Sequence, residues 1–118
     1  MNKKQPIICI DVDGVIATKN KKDKSIGEPL KGSNKFLIKL HNLGWKIIIF
    51  SCRPKKMLES YLKKHKLYYD EINENTDINS KSPKPIADVY LDDRGLTFEG
   101  DFAEILNKIE NFKPWWEE

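Results

Sequence analysis

The stretch PIICIDVDGV, residues 6–15, decides how this chain reads. Residues 7–12 form an almost unbroken β-branched apolar run, the pattern of a central parallel strand buried on both faces. The run then delivers two carboxylates, Asp11 and Asp13, one residue apart. Alternate residues of an extended segment share a face, so the two acids project to one side about 6–7 Å apart. At an effective dielectric of about 20 their repulsion costs about 3 kcal/mol, which something must offset. A hard divalent cation taking oxygen ligands, magnesium above all, does so; one proton shared between carboxylates is the other possibility.

Outward from this strand the pattern alternates. Residues 46–51, KIIIFS, repeat the apolar run. Between the two, SNKFLIKLHNLG sets Phe36, Leu37, Leu40 and Leu43 at helical spacing, with Ser33 as N-cap and Gly44 past the end. Strand, helix, strand reads as a right-handed crossover. Residues 55–65 renew the helical period through Met57, Leu58, Tyr61 and Leu62, and LYYDEI reads as a third strand. A polar loop over 73–85 precedes IADVYLDD, a fourth strand ending in Asp92 and Asp93, and a last helix is expected near 100–112. The expected fold is α/β, a three-layer Rossmann-like domain around a central parallel sheet.

The connection over 14–32 interrupts the alternation, and its apolar flanks are placed to pair as a hairpin. Lys19, Lys21, Lys22 and Lys24 at its tip read first as a solvated turn, with an electropositive rim as the alternative. In the tail, residues 113–118, Trp115 and Trp116 read as a cap on the core edge rather than a binding platform.

A length of 118 residues offers one core, hence one domain over 1–118. No run approaches the length of a membrane span, and MNKKQPIICI is too short in its apolar part for an export signal. Cys9 and Cys52 are the two cysteines, so no disulfide framework is expected, and a reducing cytoplasmic setting follows. With His41 and His65 the two histidines, a structural zinc site lacks spaced ligands. A net charge of +3 does not by itself argue for nucleic acid. GEPLKGSN has P-loop glycine spacing, but Ser33 stands where the lysine belongs; neither cysteine has an arginine six residues on, so a cysteine phosphatase loop is excluded too.

IDVDGV, IIIFSCR, the KP element and VYLDDR resemble, in this order, the four motifs of the haloacid dehalogenase superfamily, and within it the magnesium-dependent phosphohydrolases. The resemblance spans residues 7–94. It implies Asp11 as the nucleophile that forms an aspartyl-phosphate, and Asp13 as the general acid, a residue that dehalogenating relatives do not need. It further implies that Ser51, with the backbone of Cys52 and Arg53, holds the phosphoryl oxygens at a helix start, and that Lys84 neutralises developing charge. Magnesium would be held by Asp11, the Asp13 backbone carbonyl and Asp92, with Asp93 acting through water or orienting the shell. Two departures stand out. Lys84 and Asp92 are closer than in many relatives, which makes Lys81 a rival for the lysine role, and neither connection is long enough for a cap domain. A capless site suits a small phosphate ester enclosed by a neighbouring subunit of a homo-oligomer, or a polynucleotide end. Arg53 resembles a substrate contact in some nucleic-acid phosphatases; a helix-start arginine bound to a nearby carboxylate is the competing role. The rival class is a phosphoacceptor of the receiver type, whose acids come in a different order, or a phosphate-binding module without turnover.

Overall fold

The computed structural model describes residues 5–78 and 83–117. Four parallel strands carry the fold: β1 (Ile7–Ile10), β2 (Lys46–Ile49), β3 (Glu71–Ile72) and β4 (Val89–Leu91), in the order β3-β2-β1-β4. Helix α1 (Ser33–Asn42) joins β1 to β2 and α2 (Lys55–Lys64) joins β2 to β3. The architecture is α/β with a central all-parallel sheet, in keeping with the three-layer Rossmann-like class expected.

Register explains the burial. Ile8 and Ile10 stand beside Ile47 and Ile49 on one face, where Leu37 of α1 and Leu58, Tyr61 and Leu62 of α2 close the core. Glu71, Ile48, Cys9 and Tyr90 form a row on the opposite face. There Lys46, nearly buried, reaches Glu71 and Asp77 at 2.6 Å and Asn75 at 2.8 Å, tying the chain after β3 to the start of β2.

Three local expectations are revised. Ser33 does not cap α1: it is the first helical residue, Gly32 at φ 86° precedes it, and no side chain caps the end. Phe36 and Leu43 lie on the exposed side of the α1 region, leaving Leu37 fully buried and Leu40 partly so. β3 is two residues long rather than six, because the Asp70 carboxylate takes the Ile47 N–H at 2.7 Å in place of a ladder bond. The last helix forms where expected, as α3 (Phe102–Glu110), capped by Asp101; Phe102, Leu106 and Ile109 remain exposed, and among the described residues it packs on no strand or other helix.

The 14–32 connection does pair with itself: Thr18 N–H donates to Glu28 O at 2.8 Å and Leu30 N–H to Ile16 O at 2.6 Å. Tyr61 Oη, donating to Gly27 O at 2.7 Å, fastens this flap to α2. Cys9 is buried, Cys52 is exposed, and both are free thiols. Among the described residues no helix is long and apolar enough to cross a membrane.

Candidate active site at the strand ends

Successive crossovers step from β1 outward to β2 and β3, whereas β4 lies on the other flank of β1. The order in which strands are added therefore reverses between β1 and β4, and a crevice opens beyond their carboxyl ends. A cleft of about 410 Å³ lies there, with Cys9, Asp11, Ser51, Lys84, Asp92 and Asp93 among its walls.

Asp11 follows β1 directly and is pinned by its own N–H to Leu91 O of β4 at 3.0 Å. Its Oδ1 accepts the Val12 N–H at 2.8 Å. Burial, reinforced by the neighbouring charges of Asp93 and Asp13, pushes the Asp11 carboxyl up to about 6. Beyond it the chain turns tightly, the N–H groups of Val15, Ile16 and Ala17 converging on Val12 O. Gly14 occupies the left-handed region at φ 83°, and a Cβ there would collide with Asp93 Oδ2 and come within 2.9 Å of Trp116 Nε1. Only glycine satisfies both demands.

The four acids do not meet as one cluster. Asp11 and Asp93 lie side by side. Asp13 is turned aside into a bidentate ion pair with Arg53, at 2.7 Å to Nε and 2.8 Å to Nη2. Arg53 also donates to the carbonyls of Lys24, at 2.5 Å, and Ser25, at 3.4 Å, and so locks the flap against the start of α2. Asp92 faces the cleft, but its Oδ1 accepts the N–H groups of Arg94, at 3.0 Å, and Gly95. The acid beside Asp11 is thus Asp93, where the resemblance implied Asp92.

Ser51 Oγ accepts the Arg53 N–H at 3.2 Å, and the Ser51 N–H goes to Asn73 Oδ1 at 2.9 Å, which sets the hydroxyl at the mouth of α2. Cys52 shares that wall. Lys84 lines the cleft with its Nζ 4.2 Å from the Tyr90 ring centroid. Burial pushes the Cys9 thiol up to about 11 despite the opposing Lys84 charge, so it stays protonated. Lys81 lies outside the described residues.

The tryptophans do not seal the core edge as expected. Trp115 Nε1 donates to Gly14 O at 2.7 Å and Trp116 Nε1 to Asp93 Oδ2 at 2.6 Å, so the tail closes over the two acidic loops instead of sealing the core edge. Nothing local announces this, since the Trp115 to Gly14 contact spans 101 residues of chain. Asn73 and Arg94 were also unmarked.

Two adjoining carboxylates, one of them driven up by burial and by its acidic neighbours, are a donor set that fits a divalent cation or a shared proton. Among the described residues no three acidic, histidine or cysteine side chains converge as a metal cage. Magnesium does not need one, because it keeps several waters and is commonly held by one or two carboxylates plus phosphate.

No protein-family model matches the chain, and no curated protein does. A solved structure of a conserved protein coded by a locus of Bacteroides thetaiotaomicron is similar at a TM-score of 0.66, with 23% identity over 97% of each chain. The two share a fold.

Proposed function

We propose that this chain is a magnesium-dependent phosphohydrolase of the haloacid dehalogenase type, capless and cytoplasmic, that cleaves a phosphate ester through an aspartyl-phosphate. The observation that most supports this reading is the Asp11 and Asp93 carboxylate pair in the switch-point cleft, with Ser51, Lys84 and the start of α2 around it. Asp11 and Asp93 would hold the magnesium ion, with Asp92 and the Asp13 carbonyl as further ligands, and the ion would supply charge neutralisation and a template for the phosphoryl group.

In the reaction the Asp11 carboxylate forms a bond to phosphorus as the ester P–O bond breaks. Asp13, released from Arg53 and protonated, gives its proton to the departing alkoxide. It then takes a proton from the water that attacks the acyl-phosphate, so that inorganic phosphate leaves and Asp11 is restored. Ser51 Oγ and the N–H groups opening α2 hold the phosphoryl oxygens, and Lys84 balances their charge. Arg53, freed from Asp13, turns to the substrate.

The test is turnover of p-nitrophenyl phosphate with magnesium and with chelator. Magnesium-dependent release of phosphate, absent in Asp11→Asn, is the expected result; equal activity in Asp11→Asn removes the covalent step. The Asp13 to Arg53 ion pair favours one second reading, a phosphoacceptor or phosphate-binding module in which Asp13 never serves as acid. That reading predicts stable, stoichiometric labelling by a small phosphodonor and no turnover.

A further inference from the structure

Three cations gather on one indole at the rim of the cleft. Arg94 Cζ lies 5.2 Å from the Trp116 ring centroid, Lys19 Nζ 5.3 Å and Lys21 Nζ 5.9 Å. They come from two separate segments, the flap and the loop after β4, and the C-terminal tail supplies the ring. A ring quadrupole attracts a single cation modestly, while like charges brought this close repel one another. Acids stand nearby but are engaged elsewhere. Asp23 in the flap is held by Asn20 and Ser25, and Asp93 by the Trp116 N–H itself. Among the described residues none of the three cations forms an ion pair with a carboxylate. The triad is thus an assembled, charge-unbalanced feature one indole away from Asp93.

We propose that Lys19, Lys21 and Arg94, gathered on Trp116, form a subsite for a second phosphate group carried by the substrate, apart from the phosphate that reacts at Asp11. The inference rests on the phosphohydrolase reading and narrows its substrate to a phosphate ester whose leaving group bears another phosphate or phosphodiester. Two sources share that chemistry, a small bisphosphate and the phosphorylated end of a polynucleotide. The geometry gives Trp116 two jobs: its N–H holds Asp93, and its ring keeps the three cations together, so the rim and the acid pair are set in place by one side chain.

Binding to Asp11→Asn protein, measured calorimetrically with magnesium present, tests the subsite without turnover. The probes are a nucleoside bisphosphate with its phosphates on separate hydroxyls, and the two matching monophosphates. The bisphosphate is expected to bind at least about tenfold more tightly than either monophosphate. That advantage should fall to about twofold or less when Lys19→Gln, Lys21→Gln and Arg94→Gln are added, and also in Trp116→Ala, which keeps every cation but removes the ring that collects them. Equal affinity for all three probes, or an advantage that survives the triple substitution, overturns the proposal. A phosphorylated oligonucleotide that outcompetes the nucleoside bisphosphate assigns the second group to a phosphodiester, and the reverse order assigns it to a small metabolite. Failure of wild-type protein to release phosphate from any ester would remove the phosphohydrolase reading instead, and leaves the binding comparison to decide the subsite on its own.

Discussion

Gly14 shows how much one residue can decide. It sits at φ 83° with the Asp93 carboxylate and the Trp116 indole pressed against the place a Cβ would take. Gly14→Ala adds the cost of a left-handed alanine, about 1 kcal/mol, to that collision, so we expect a loss of about 1–3 kcal/mol in urea denaturation and a weakened magnesium response. Asp11 makes a prediction of opposite sign. Its folded carboxyl titrates near 6 against the ordinary 3.8, so the folded state binds a proton between those values that the unfolded chain does not. Metal-free protein therefore gains stability as pH falls from above 6 toward 4, and loses that gain as pH rises through 6. Melting curves should show Asp11→Asn at least as stable as wild type at neutral pH without metal, and magnesium should raise the wild-type melting temperature more at pH well above 6 than below 5, where protons compete for the carboxylates. A less stable Asp11→Asn would mean that the acid pair is not under charge strain.

Among the elements, the flap is tied to the α2 region at two points, Arg53 just before the helix and Tyr61 within it. Arg53 grips Asp13 and two flap carbonyls, while Tyr61 holds Gly27 further along. Arg53→Ala should speed proteolytic cleavage across residues 19–25 by about tenfold with little change in global stability, since the flap anchors itself in the main core through Ile16 and Ala17 whereas residues 19–25 add no side chain to it. Unchanged cleavage would show that the flap is secured by its own strand pairing. At the far end of β2, Lys46 holds Glu71 and Asp77 from a nearly buried position. Lys46→Ala leaves the partly buried Glu71 without its counter-charge, and chemical denaturation should register a loss of about 3 kcal/mol. The strands were legible from sequence because an unbroken apolar run has few other ways to be buried, and α1 and α2 because their periodicity is strong. Ser33 and β3 were not, since the left-handed turn at Gly32 starts α1 at Ser33 with no side-chain cap, and the Asp70 carboxylate takes a backbone N–H that propensity alone assigns to the ladder.

Across the whole molecule, chain order reads more easily than side-chain direction. Parallel order and the reversal between β1 and β4 bring Asp11, Ser51, Lys84, Asp92 and Asp93 to one cleft, and each was recognisable from its place after a strand or in a short motif. The pairing of Asp13 with Arg53, the exchange of Asp92 for Asp93 beside Asp11, and the tail closing on both loops depend on contacts between distant segments, to which periodicity is blind. Removing residues 113–118 takes away the donors to Gly14 O and Asp93 while leaving the sheet's own core intact. Such a truncation should lower magnesium affinity about tenfold, by calorimetry, with folding cooperativity retained. Magnesium affinity equal to that of the full chain would reduce the tail to a passive cover.

The proposed mechanism requires that Asp11, among the acids converging where β1 and β4 end, bond to phosphorus. Its most direct measurement is mass spectrometry of protein quenched in acid during turnover of a phosphate ester with magnesium. One phosphoryl group on the peptide containing Asp11, appearing and then decaying as substrate is exhausted, is the predicted result. Phosphate release with no label on that peptide, or a label on any other residue, would overturn the aspartyl-phosphate mechanism.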